Sequence, residues 1–166
     1  MIISAYTVNA QSNYASGAGC TVPAGWSSCN ASCWFSDCCI VFNPRTSEGG
    51  CGCWFGIARC ATGPIGSSFT SSGNSSGEAS IKFSFDRFNE AINYLKSIKV
   101  NTTDINAALS AFQNKYTGAA GKSAVATSDY TDFQQHYQVF IDGLSLDQKN
   151  SFNDYIKNKE QTVKWT

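Results

Sequence analysis

The sequence predicts a small disulfide-rich N-terminal module of short strands and loops, followed by an all-α C-terminal antiparallel bundle of three to four helices. Three observations predict this fold class. All eight cysteines lie in one early stretch, a Gly/Ser/Thr-rich segment follows them, and apolar residues then recur at helical spacing. We therefore divide the chain into an N-terminal tail at 1–19, a cysteine-rich module at 20–60, a linker at 61–80 and a helical domain at 81–166.

The first ten residues are uncharged and mildly apolar. Val8 and Ala10 stand where a signal peptidase favours small side chains. This pattern is typical of the end of a signal peptide, so we interpret the segment as a truncated one and expect the mature chain to begin at Gln11. An ordinary N-terminal strand is the alternative interpretation.

The cysteines of the module are even in number and closely spaced, in a segment with many Gly and Ser and few long aliphatic side chains. A segment of this kind cannot build its own core and is usually held by disulfides. A metal site is the alternative, but Cys-x-x-Cys is absent and His136 is the only histidine. We expect no metal and no cofactor, and we expect disulfides at Cys20, Cys29, Cys33, Cys38, Cys39, Cys51, Cys53 and Cys60.

The pairing of these cysteines cannot be read from the sequence, but strand geometry restricts it. On an extended strand, Cys51 and Cys53 share a face, whereas the adjacent Cys38 and Cys39 point to opposite faces. We therefore expect Cys38 and Cys39 to have different partners.

A three-residue Cys-Trp-Phe pattern occurs twice in the module. The favoured interpretation is that these rings pack over the disulfides as a small core, because so short a module has little else to bury. The alternative is an aromatic platform, extended by Trp26, that contacts a sugar or a lipid. Its candidate ligand contacts are Trp34, Phe35, Trp54 and Phe55.

Four amphipathic segments follow the linker, with apolar residues three or four positions apart. Their apolar positions are Phe85, Phe88, Ile92 and Leu95; Ile105, Leu109, Phe112 and Tyr116; Phe133, Tyr137, Phe140 and Leu144; and Phe152, Ile156 and Val163. We expect capping boxes at Thr131 with Gln134 and at Ser145 with Gln148, and helix ends at Gly118 and Gly143. One alternative concerns the first segment, where Ile81, Phe83 and Phe85 alternate as in a short strand.

Charge excludes several functions. Lys plus Arg and Asp plus Glu number 12 each, so the net charge is zero and no basic stripe is available for nucleic acid or for an anionic membrane surface. No segment approaches the roughly 20 apolar residues of a transmembrane helix. With its predicted disulfides, the protein is expected to be secreted, in the periplasm or outside the cell.

No catalytic motif is apparent. The acidic residues are scattered singly, and the lone His136 is interpreted as structural. We therefore predict a non-enzymatic binding or interaction protein whose partner is an unknown protein, glycan or lipid surface. The alternatives are a toxin-like or antimicrobial polypeptide and a small secreted enzyme without a visible motif.

Overall fold

The computed structural model describes residues 20–66, 79–116 and 122–161. These residues form six strands and four helices. In chain order they are β1 (Ser27–Ser32), β2 (Ser36–Phe42), β3 (Ser47–Trp54), β4 (Ile57–Pro64), β5 (Ala79–Ser84), α1 (Phe85–Ser97), α2 (Thr103–Asn114), β6 (Lys122–Val125), α3 (Thr127–Asp142) and α4 (Leu146–Glu160).

The strands form two antiparallel sheets. One has four strands in the order β1-β2-β5-β6, and the other is the hairpin β3–β4. The hairpin turns through Phe55 and Gly56, which both have positive φ, 45° and 82°. Two such residues between paired strands form the type I′ turn, whose twist matches that of the strands it joins.

Four disulfides connect these elements. Cys29–Cys51 joins β1 to β3 and Cys38–Cys60 joins β2 to β4, while Cys33–Cys53 joins the end of β1 to β3, and Cys20–Cys39 ties the segment before β1 to β2. Three of the four therefore attach the hairpin to the larger sheet. The adjacent Cys38 and Cys39 have different partners, as strand alternation predicts.

The strand register divides the four-stranded sheet into two faces. Cys38 lies opposite Ala31 on β1 and Ile81 on β5, so all three side chains point to one face. Both the disulfides to β3 and β4 and the apolar core lie on this inner face. The opposite face carries Cys39, which bonds Cys20.

The helices also pack against the inner face, chiefly through aromatic side chains. Phe83 on β5 is fully buried, and its ring centroid lies 5.0 Å from that of Phe112 on α2 and 5.4 Å from that of Phe133 on α3. The ring of Phe88 on α1 packs at a tilt against that of Phe35, with the centroids 4.7 Å apart. A single apolar cluster therefore contains residues from both sheets and all four helices.

The predicted all-α C-terminal region is wrong, because β5 and β6 interrupt it. β5 pairs with β2, so one sheet contains strands from both sides of the 61–80 segment. The alternative interpretation of the Ile81, Phe83 and Phe85 alternation is the correct one as far as Ser84, where α1 is capped. The domain boundaries stay a prediction, and residues 1–19 and 67–78 lie outside the described residues.

The four predicted helices are present, but only some of the predicted helix caps are. Ser145 and Gln148 form the predicted capping box, and Gly143 ends α3. The box predicted at Thr131 is wrong, because α3 already begins at Thr127. Gly118 and Val163 lie outside the described residues.

Candidate functional site: an apolar groove beside a buried aromatic core

Two of the four candidate ligand contacts lie inside the protein. Phe35 is fully buried and Trp34 is 6% exposed. The Trp34 amide donates to Glu160 Oε2 at 2.8 Å, and its carbonyl accepts from Arg87 at 3.1 Å, with the Arg87 guanidinium 4.1 Å from the indole centre. Trp34 therefore joins the β region to α1 and α4.

The other two candidates, Trp54 and Phe55, lie half-buried at the tip of the hairpin. The buried Arg59 guanidinium stands 4.0 Å from the Trp54 ring centre, and Tyr137 meets the same ring edge-on at 6.0 Å. Tyr137 also donates to the Phe55 carbonyl at 2.6 Å. Ligand contact at these residues stays a prediction, and their observed contacts are those of packing.

A buried hydroxyl network joins α3 to both sheets. The Tyr130 hydroxyl donates to the Ala58 carbonyl at 2.5 Å, so the Ser36 hydroxyl must donate to Tyr130, at 2.7 Å. Ser36 Oγ in turn accepts from the Ala58 amide at 2.7 Å. Burial raises the pKa of Tyr130 strongly, which keeps the phenol protonated and fixes it as a donor.

One grouping of metal-ligand atoms exists in the described residues: Cys33, Cys53 and Glu160. The two sulfurs form a disulfide with each other, whereas the ligands of metal ions are thiolates. Burial raises the pKa of the Glu160 carboxyl, and its hydrogen bond from Trp34 opposes that shift. The hydrogen bond from Trp34 to this carboxylate connects the end of α4 to the segment between β1 and β2.

The described surface also contains an apolar groove of about 960 Å³ between α2, α3 and the start of α4. Its lining includes the buried Ile105 and Leu144 and the partly buried Phe140. Val139 lines it as well, yet is 73% exposed. Leu146, at the start of α4, is equally exposed and lies two residues beyond Leu144.

The polar residues that line the groove stand among these apolar ones and include Asn101, Asp104, His136 and Gln148. From the sequence, His136 is interpreted as structural. Its side chain is exposed and lines the groove, and a structural role does not account for that position. Asp104, on α2, is the one acidic residue of the lining. A few polar groups around an apolar floor are typical of a binding site.

Acidic residues predominate on the two helices that form the groove. α2 and α3 carry four aspartates, Asp104, Asp129, Asp132 and Asp142, and no Lys or Arg. Asp129 is paired with Lys115 at 3.1 Å, and hydrogen bonds from Tyr116 and Lys115 lower the pKa of its carboxyl. The other three are exposed.

This chain matches no family model, no curated protein and no solved structure. Among the helices of residues 20–66, 79–116 and 122–161, none is both long and apolar enough to cross a membrane. The function is therefore inferred from the geometry of the chain's own residues.

The sequence interpretation missed the groove, although part of its signal is visible in the printed residues. Val139 falls between the core positions Tyr137 and Ile141, on a part of α3 that no amphipathic stripe requires to be apolar. On α2, Ala107, Ala108 and Ala111 likewise form a second apolar face beside the core residues. A helix with two apolar faces has a second surface to cover.

Proposed function

We propose that the protein is a secreted, non-enzymatic binding protein and that the groove between α2 and α3 is its ligand-binding surface. The observation that carries the proposal is an apolar groove of about 960 Å³ bordered by a Val139 side chain that is 73% exposed. Exposed apolar surface rimmed by polar groups is typical of interaction sites. The aromatic pairs at Trp34 and Trp54 serve the core in this proposal.

Secretion is supported by the covalent structure. Four disulfides attach the segment 20–60 to itself, and disulfides persist in oxidising compartments, whereas cytosolic reductants remove them. The described cysteines include no free thiol. A thiol-dependent enzyme is therefore not favoured by these residues.

The proposal is tested by filling the groove and measuring the binding of a neutral apolar dye, Nile red. Ala111 is exposed and lines the groove, so Ala111→Trp adds bulk there without entering the core. Ser110 is exposed on the same helix and does not line the groove, so Ser110→Trp is the matched control. We expect the wild type and Ser110→Trp to raise the fluorescence of the dye above that of free dye. Ala111→Trp should raise it less than the wild type does. Equal fluorescence in all three proteins would contradict the proposal.

A further inference from the structure

The walls of the groove have the spacing of a surface that accepts a helix. On α2 the lining positions Asp104, Ala108 and Ala111 recur at steps of four and three. On α3 and its C-cap, His136, Val139 and Gly143 recur at steps of three and four. Each set forms one ridge along its helix. The ridge from Asp104 to Ala111 rises about 10 Å, which is two helical turns.

Three of the six ridge positions hold Ala or Gly. Ala108, Ala111 and Gly143 leave room for another backbone to approach closely, while Val139 projects beyond them. A small apolar ligand inside the groove would leave the outer apolar side chains uncovered. Val139 and Leu146, which lies two residues beyond Leu144, are both 73% exposed. Apolar groups that stay this exposed are covered best by a macromolecular partner.

Charge indicates what kind of partner fits. Asp104 lines the groove, Asp132 lies one turn before His136 on the same face of α3, and Asp142 adjoins Gly143. Neither helix carries a Lys or Arg, and the two lysines that adjoin lining positions, Lys99 beside Val100 and Lys149 beside Gln148, lie outside α2 and α3. A cationic partner is attracted to such a surface and an anionic one is repelled.

We propose that the groove binds an amphipathic helix of a partner protein, with apolar residues at i, i+3 or i+4, and i+7 and with Lys or Arg beside that stripe. Docking of an apolar helix face into a groove is an established mode of peptide recognition. The inference rests on the proposed function and names the partner class for the same groove. The helix presents its stripe to Ala108, Ala111 and Val139 and its cations to Asp104 and Asp132.

The test uses labelled synthetic peptides of about 18 residues, or five helical turns. One is an amphipathic helix of Leu and Lys, the second replaces each Lys by Glu, and the third has the Leu/Lys composition with the apolar stripe scrambled. Fluorescence anisotropy measures their affinities for the disulfide-bonded full chain. We expect only the first peptide to bind. Salt at about 0.5 M should weaken that binding, because it screens the attraction between the lysines of the peptide and the aspartates of the groove.

Two pairs of variants locate the binding. Ala111→Trp is expected to weaken binding of the Leu/Lys peptide by at least about tenfold, as blocking of a central contact does, and Ser110→Trp to leave it unchanged. Asp104→Lys is expected to weaken it several-fold, whereas Asp86→Lys is not. Asp104 and Asp86 are each the second residue of a helix, so any cost at the helix start is the same in both.

The outcomes separate this inference from the proposed function. Binding of the Leu/Glu peptide as tight as that of the Leu/Lys peptide, or binding unaffected by Ala111→Trp and Asp104→Lys, overturns the cationic-helix partner. If Ala111→Trp still lowers Nile red fluorescence in that case, the groove remains an apolar binding site for another ligand. If neither the peptides nor the dye responds to Ala111→Trp, both proposals fail.

Discussion

The hairpin β3–β4 is attached to the inner face of the four-stranded sheet by three disulfides, whereas the helices are attached to that face by aromatic rings and buried hydroxyls. The difference follows the sequence. Residues 47–54 include five Gly or Cys in succession and few large side chains, so covalent bonds supply the contact that packing cannot. The helices contribute Phe and Tyr at core positions and need no bond. The two regions meet at Phe35, whose amide donates to the Gly56 carbonyl of the hairpin and whose ring lies 4.7 Å from that of Phe88 on α1. They also meet at Tyr137 on α3, whose ring contacts Trp54 of the hairpin.

The largest expected effect comes from reducing the disulfides. Each disulfide contributes about 2–4 kcal/mol, so reduction of all four removes most of the 5–15 kcal/mol that typically holds a domain folded. Because helix residues pack on Phe35 and Phe83, we expect the helices to lose stability together with the strands. Far-ultraviolet circular dichroism during heating, with and without dithiothreitol, measures this. Helices that melt at the same temperature after reduction would show that the two regions are independent.

Truncation of a shared ring is expected to have the next largest effect. Phe83 is fully buried and has the rings of Phe112 and Phe133 against it, so Phe83→Ala should lower the free energy of unfolding by about 3–5 kcal/mol. Denaturant unfolding of the oxidised protein measures the change. Val139→Ala, at an exposed position, should change stability by less than about 0.5 kcal/mol. Similar losses in the two variants would contradict the assignment of Phe83 to the common core.

Gly56 tests the contact between the hairpin and the core. A Cβ atom at Gly56 would lie 2.6 Å from the Phe35 ring, whereas one at Gly25 meets nothing within 4 Å. Both glycines have φ near 80°, so Gly25→Ala suffers the same backbone strain without the clash. We expect Gly56→Ala to cost about 1–3 kcal/mol more than Gly25→Ala, as overpacking of a core does, in the same unfolding experiment. Equal costs would mean that the hairpin tip does not press on Phe35.

The smallest expected effect concerns Glu160. Burial raises the pKa of its carboxyl above the ordinary 4.5, so the folded protein binds this proton more tightly than the unfolded chain does. The contribution of Glu160 to stability is therefore largest below about pH 4.5 and falls as pH rises through the folded-state pKa. Glu160→Gln should stabilise the protein relative to wild type at neutral pH, with the difference shrinking in acid.

The control for that experiment is Asp154→Asn, which removes an exposed carboxylate from the same helix. Thermal unfolding across the acidic range compares the three proteins. A Glu160→Gln variant that is less stable than wild type at neutral pH would show that the hydrogen bond to Trp34 outweighs the cost of burying the charge.

The helices could be predicted because their signals are local. Phe85, Phe88, Ile92 and Leu95 follow a helical period, and Ser145 with Gln148 carries its cap within one turn. The sheet could not be predicted in the same way, because its pairs are distant in sequence. β6 has only four residues, Lys122–Val125, too few to show a period, and its pairing with β5 depends on how the intervening helices pack.

The groove could be predicted only in part, from the second apolar faces of α2 and α3. An alanine such as Ala111 and a valine such as Val139 are unremarkable on a helix, and only the fold shows that no described side chain fills the space between them. The Cys-Trp-Phe repeats, by contrast, attract notice as a ligand platform. Their place against Arg87, Arg59 and Tyr137 could not be inferred, since those partners come from remote segments.

We infer that the Trp34–Phe35 and Trp54–Phe55 pairs maintain the fold and that the groove between α2 and α3 binds the partner. The most direct test measures the unfolding midpoint and the affinity for the Leu/Lys peptide on the same samples of Trp34→Ala and Ala111→Trp. Loss of a large buried ring costs about 3–5 kcal/mol, so Trp34→Ala should lower the midpoint by roughly 10 °C while native protein keeps its affinity. Ala111→Trp should keep the midpoint and lose the affinity. An unchanged midpoint with lost binding in Trp34→Ala would contradict the claim.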